Sequence, residues 1–429
     1  MNSKLFKSET FFNYVGALAL AFAYFFLSPI DARAQTQTQT QQYVSADVSY
    51  QFIGHWSKDK LNQILTKDFP SFSGVPVSYS EAKTGVKLYK VRYRSTIPEQ
   101  SNRSIAASGL VAIPDTLTST TGNKPLPLLS YQHGTVYAKT AVPSFPENSP
   151  ETQLMLAQFA GQGYVVIGAD YFGMGESNEP EGYMVKGSHQ QATYDMLLAS
   201  RSVLAHLKIE AGPLFLGGWS QGGFVTMALL EKLEKEGVKV AATATASAPT
   251  DVYALLSGFL NYPRANDANW INSIIILSAF AYENYYSVPG LARSVFNDEY
   301  YDIARKAYLR EEINPQDLPT DLRKLIRSEY FNPQFMASSS YGRLAADATT
   351  YRWNYQTPLR NYYGDTDEAI PVGVGRLAMT YQQALGSGNP NVTALSTGNT
   401  SHRGTYAVAV PEWKKWFDSL NNLKSELNQ

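Results

Sequence analysis

The sequence predicts an α/β fold, a mostly parallel central sheet flanked by helices and interrupted by one large helical insertion. Three observations carry that expectation. Short continuous apolar runs alternate with longer segments that are apolar at helical spacing, the βαβα order of a parallel sheet covered on both faces. One apolar run passes through Gly218-Trp219-Ser220-Gln221-Gly222 directly into an amphipathic helix. Finally, strand-like alternation disappears between Asp251 and Tyr355, and helical periodicity takes its place.

Element by element, residues 1–34 read as an export signal. Lys4 and Lys7 give a basic start, residues 12–29 an apolar core, and Ala32-Arg33-Ala34 a small-x-small cleavage site. A membrane anchor is the rival reading, because the uncharged run is generous for a signal core. Residues 35–42, alternating Gln and Thr, read as a disordered polar leader. The α/β core is expected over 43–251 and 356–429. Residues 86–93 alternate as a half-exposed strand should, and 106–113 pair next. Strands follow at 127–132, 164–168, 213–218 and 238–246, then at 359–363 and 391–396. Helices are expected at 153–160, 189–207, 224–236 and 406–420. Residues 252–355 form the insertion, with helices at 270–282, 300–309 and 322–330. It is rich in aromatics, including Tyr253, Phe259, Trp270, Phe280, Tyr285, Tyr286 and Phe331. Most of these should pack the insertion itself, and a few should line an apolar pocket above Ser220.

G-x-S-x-G between a buried strand and a helix is the nucleophile elbow, a tight turn that lifts a serine hydroxyl above the sheet. Its flanking positions must be small because helix and strand pass closely there. Ser220 is therefore the candidate nucleophile. A base and an acid should follow it in the order Asp or Glu, then His. Of His55, His133, His189, His206 and His402, only His402 lies well beyond Ser220. It falls in a polar, glycine-bounded loop between the last strand and the last helix. His189 and His206 fall on one helix and read as surface or capping residues. The turn Gly364-Asp365-Thr366-Asp367-Glu368-Ala369-Ile370-Pro371 offers three carboxylates to orient the imidazole. An oxyanion hole should use the Gln221 N–H, at a helix N-terminus, and the N–H of Thr135 in the loop after the third strand. The Thr135 hydroxyl is a candidate third donor, and His133 is expected to orient that loop rather than react.

The chain resembles the α/β-hydrolase superfamily, and more narrowly secreted bacterial lipase/esterase-like serine hydrolases with a helical cap. The likeness covers most of residues 85–420. It rests on Tyr131-Gln-His133-Gly134-Thr135, Ala169-Asp170-Tyr-Phe-Gly173-Met-Gly175-Glu-Ser177, the elbow, and the turn that ends at Pro371. The resemblance implies that the acid stands four residues ahead of the proline, which selects Asp367. Asp365 and Glu368 are then neighbours, and Asp251, after an earlier strand, is a rival. It also implies that 252–355 is a cap inserted after the sixth core strand.

Composition narrows the alternatives. The chain has 429 residues, is 44 % hydrophobic, and carries a formal charge of -1 with no dense basic block, so nucleic acid is not an expected partner. Gly173-Met-Gly175 lacks the third glycine of a dinucleotide loop, and no H-E-x-x-H or Cys/His spacing suggests a metal. No cofactor is expected. With no cysteine, neither disulfides nor a lipid-modified cysteine is available. The expected protein is therefore periplasmic or secreted, without a stable membrane anchor after signal cleavage. From the site and the resemblance together it is expected to hydrolyse a small-molecule ester with an apolar acyl or aromatic group through an acyl-enzyme. A serine peptidase with the same residues, and a non-catalytic binding protein on this scaffold, are the alternatives. Arg310-Glu311-Glu312 would serve the peptidase as an amine-recognising acidic pair, or otherwise be a solvated helix end.

Overall fold

The computed structural model describes residues 40–115 and 125–427, with side chains described as far as residue 421. The expected signal segment and most of the polar leader lie outside the described residues. The leader ends earlier than expected. Strand β1 (Gln42–Tyr43) pairs antiparallel with β2 (Val48–Trp56), and Gln41 donates to the Ser49 hydroxyl at 2.7 Å.

β2, β3 (Val86–Ile97) and β4 (Arg103–Pro114) form an antiparallel meander. β4 then pairs antiparallel with β6 (Val165–Ala169). From there the sheet is parallel: β6, β5 (Leu126–Gln132), β7 (Ala211–Trp219), β8 (Ala242–Ala246), β9 (Leu359–Tyr363) and β10 (Val392–Ser396). The full order is β1-β2-β3-β4-β6-β5-β7-β8-β9-β10. β2 was not expected, although residues 48–56 carry strand-forming Val, Tyr, Phe, Ile and Trp. With β1 and β2 counted, the insertion follows the eighth strand rather than the sixth. The strand itself, β8, is the one the sequence indicated.

Successive residues of the parallel strands enter opposite cores, as a pleated backbone requires. Leu128, Val165, Ile167, Leu214 and Leu216 face the helices Lys186–His206 and Gln221–Lys235. Leu129, Val166 and Phe215 face the helices Pro150–Gln158 and His402–Leu427, where Tyr406, Trp413 and Phe417 are fully buried. Two apolar faces explain why these strands read as continuous runs instead of alternating.

Residues 252–348 leave the core after β8 and carry helices Val252–Asn261, Ile271–Tyr285, Asp298–Leu309 and Ser340–Asp347, with shorter turns between them. The excursion begins and ends at one point. Asp251 bridges Thr349 antiparallel, and the Thr350 N–H donates to the Thr250 carbonyl at 2.9 Å. Its aromatics serve both itself and the core: Phe280 stacks on Phe296 and Tyr308, Phe259 is buried, and the Tyr285 and Tyr308 hydroxyls donate out of the insertion to the Pro180 and Glu181 carbonyls at 2.8 Å each.

Candidate active site

The candidate residues gather beyond the carboxyl ends of β5, β7, β8, β9 and β10, the edge where open parallel sheets bind ligands. Ser220 follows β7 and precedes the helix Gln221–Lys235, with φ 56 and ψ -126. That conformation costs a non-glycine residue about 1–3 kcal/mol and persists because its surroundings enforce it. The Ser220 N–H donates to the Ala246 carbonyl at 3.0 Å, and the Ser220 carbonyl accepts from Gly223 at 2.8 Å. A Cβ on Gly218 would stand 2.3 Å from the Gly222 carbonyl oxygen, and one on Gly222 would stand 2.0 Å from that of Gln132. The two flanking glycines are thus fixed by backbone contact.

His402, Asp367 and Ser220 form one continuous hydrogen-bonded line. His402 Nε2 lies 2.8 Å from Ser220 Oγ, and Nδ1 lies 3.1 Å from each carboxylate oxygen of Asp367. Nδ1 faces only a carboxylate, which assigns it the proton and leaves Nε2 to accept from the serine. His402 does not sit in a loop as expected; it opens the helix His402–Leu427, which starts earlier than its apolar spacing suggested. Its N–H donates to Glu368 Oε2 at 2.8 Å, and its carbonyl accepts from Trp219 Nε1 at 3.1 Å.

Asp367 is held on every side. Oδ1 accepts from the Ala369 and Ile370 N–H groups at 2.8 Å each, and Oδ2 accepts from the Ser247 hydroxyl at 2.6 Å. Burial alone would raise this carboxyl's pKa. The charge and hydrogen bond of His402, with Ser247 and the Ile370 N–H, outweigh burial and hold it below the usual aspartate range. Among the three carboxylates of the turn, Asp365 is exposed and accepts from Ser396 at 2.8 Å, whereas Glu368 reaches only the backbone of His402. Asp251 is away from this line. It caps the helix Val252–Asn261 through Ala254 and lies 3.3 Å from both Tyr351 and Arg352.

The loop after β5 is clamped at Gly134. Its N–H donates to Glu151 Oε2 at 2.8 Å, and its carbonyl lies 2.8 Å from His133 Nδ1. His133 Nε2 faces the Asp170 carbonyl at 3.3 Å, so the shorter Nδ1 contact is assigned the proton. Burial keeps this imidazole neutral, with its pKa pushed down to about 4. Tyr171 stacks on it at 4.1 Å and donates to the His133 carbonyl at 3.0 Å. In a trans peptide C=O and N–H point in opposite directions. Turning the Gly134 carbonyl toward His133 therefore turns the Thr135 N–H away from it. Among the described residues neither the Thr135 nor the Gln221 N–H has an acceptor. The Thr135 hydroxyl is already engaged with Tyr183 at 3.0 Å.

Sequence reasoning missed four supporting residues. Glu151 reads as an ordinary first-turn acid of the helix Pro150–Gln158, yet it is buried against Gly134 and Tyr131. Ser247 has no motif; its φ of 48 directs its hydroxyl at Asp367. His189 is not a surface residue but is buried, with Nε2 3.4 Å from Gln221 Nε2 and its ring against Tyr171; His206 is exposed as expected. Trp270 lies with its ring 5.8 Å from that of His402. Arg310, in contrast, turns away from Glu311 and Glu312. It pairs with buried Glu181 and donates to the Val136 carbonyl at 3.2 Å, while both glutamates remain exposed.

No family model and no curated protein matches the chain. Solved structures do. A Legionella pneumophila protein described only as a presumed hydrolase aligns over 86 % of this chain and 97 % of its own, at 22 % identity and a TM-score of 0.74. The rice cell wall degrading esterase LipA from Xanthomonas oryzae, in a ligand-bound form, aligns over 84 % and 93 %, at 25 % identity and 0.67. Candida antarctica lipase A aligns over 82 % and 77 %, at 15 % identity and 0.54. The order of its sheet and its likeness to these solved structures give this chain the α/β-hydrolase fold.

Proposed function

We propose that the chain is a serine hydrolase of carboxylic esters that works through an acyl-enzyme. One observation carries the reading: a serine on a strained elbow, an imidazole 2.8 Å from its hydroxyl, and a buried carboxylate behind that imidazole. His402 Nε2 takes the Ser220 proton as Oγ attacks the ester carbonyl carbon. The carbonyl π electrons move to oxygen, and the Gln221 and Thr135 N–H groups receive the oxyanion. As the carbonyl re-forms, the C–O bond to the alcohol breaks and His402 returns its proton to the departing oxygen. Water, deprotonated by the same imidazole, then releases the acid and restores the serine. Asp367 fixes the ring and stabilises the imidazolium, and no step calls for a cofactor.

The neighbours' names, an esterase and a lipase, support an ester over an amide. The insertion at 252–348 is assigned the part of a cap, since its segment after Tyr262 crosses the acid turn: Arg264 donates to the Asp367 carbonyl at 3.0 Å, and the Ala268 N–H to that of Glu368 at 3.0 Å. The apolar start 1–34 adds export to the reading. Hydrolysis of chromogenic short-chain esters tests the function. Ser220→Ala should lower kcat by several orders of magnitude with folding intact, and retained turnover in that variant contradicts the assignment.

A further inference from the structure

Resting on that reading, we propose that Trp270 selects the alcohol half of the ester, its exposed indole stacking on an aromatic ring in the leaving group. Two indoles lie against the His402 imidazole. Trp219, with ring centroids 5.0 Å apart, is buried, stacks on Tyr406 at 5.1 Å and spends its N–H on the His402 carbonyl. Trp270, at 5.8 Å, keeps 38 % of its surface exposed. In the mechanism above, Nε2 must reach the departing oxygen, so the alcohol leaves on the side of the serine that His402 occupies. Of the two rings against that imidazole, Trp270 is the one with free surface.

Its position is tied to the loop that supplies the Thr135 N–H. The Ser273 hydroxyl donates to the Trp270 carbonyl at 2.7 Å, which leaves Tyr137 to donate to Ser273 at 2.8 Å. Tyr137 stands two residues beyond Thr135, so this hydrogen bond ties the segment that carries Trp270 to that loop. With both hydroxyl protons committed, the Tyr137–Ser273 pair leaves ring surface rather than spare side-chain hydroxyl donors beside Trp270. A benzyl-type alcohol suits it better than a straight alkyl chain of similar acidity. Trp270 is a specificity residue here, not a participant in proton transfer.

The test holds the acyl group constant and compares benzyl with propyl butyrate. The wild type should prefer the benzyl ester in kcat/KM, and Trp270→Ala should lower the benzyl-to-propyl ratio by about three- to tenfold, the scale of one aromatic contact. Trp270→Phe should retain most of it. Capture of the acyl-enzyme by benzyl alcohol against propanol should fall in the same ratio, because it traverses the same transition state, while kcat/KM for propyl butyrate should stay within a few-fold of wild type; general disorder of the site would lower both esters alike. An unchanged ratio in Trp270→Ala, or no benzyl preference in a wild type that turns over both esters, overturns the proposal. A wild type that hydrolyses neither ester and resists a fluorophosphonate fails at the parent reading and takes this one with it.

Discussion

Glu151→Gln should stabilise the protein at alkaline pH and hardly at all in acid. The carboxyl is 5 % exposed, and its Oε2 accepts from the Gly134 N–H and the Tyr131 hydroxyl, each at 2.8 Å. Burial pushes its pKa from 4.5 up to about 7, against the opposing pull of those two donors and of His402 and Arg403. The folded state therefore holds the proton more tightly than the unfolded chain. Stability from this group is fully present below the unfolded pKa and is lost as pH rises through about 7. At about 1.4 kcal/mol per pKa unit, the rise of some 2.5 units amounts to about 3 kcal/mol. Glutamine keeps an oxygen for the Gly134 N–H and cannot ionise. Denaturant unfolding of both proteins at several pH values measures the difference. The variant's advantage should grow by about 3 kcal/mol between about pH 4.5 and about pH 8. A difference that stays flat across that range, or that favours the wild type increasingly as pH rises, refutes the reasoning.

Two further outcomes separate the acid from its neighbours and its supports. Asp367→Asn should lower kcat by on the order of 10³–10⁴, since the amide can hold the wrong tautomer of His402, whereas Asp365→Asn should stay within a few-fold; kinetics on one chromogenic ester decides. Ser247→Ala removes one of the bonds that hold the Asp367 carboxyl low. The Asp367 carboxyl should therefore titrate at higher pH in the variant, by about one unit, read from its carboxyl carbon in an NMR pH titration, and a shift to lower pH would contradict that role for Ser247.

Much of this was legible because backbone constraints leave marks in sequence. Gly218 and Gly222 could be read as glycines that geometry demands, and both prove to lie against carbonyl oxygens. Residues 164–168 could be read as a doubly buried strand, and the strand found there, Val165–Ala169, does divide its residues between two cores. Asp367 was selected by the resemblance, which implies an acid four residues ahead of Pro371, and it is the carboxylate that meets His402. Side-chain supports leave no such mark. Glu151 and Ser247 act across 17 and 120 residues of chain respectively, and a first-turn glutamate or a serine after a strand reads the same wherever it points. The start of the last helix was misplaced because Ser401-His402-Arg403 is polar, and helical spacing becomes visible only from Tyr406. Trp270 was one aromatic among many until its contact with His402 distinguished it.

The central claim is that His402 makes the Ser220 hydroxyl a nucleophile. Its most direct test is treatment of the folded protein with a fluorophosphonate, followed by mass spectrometry of the digested chain. The account predicts one phosphonyl adduct, on the peptide carrying Ser220, formed far faster than in His402→Ala. No adduct, or an adduct on another residue at a rate indifferent to His402, would contradict it.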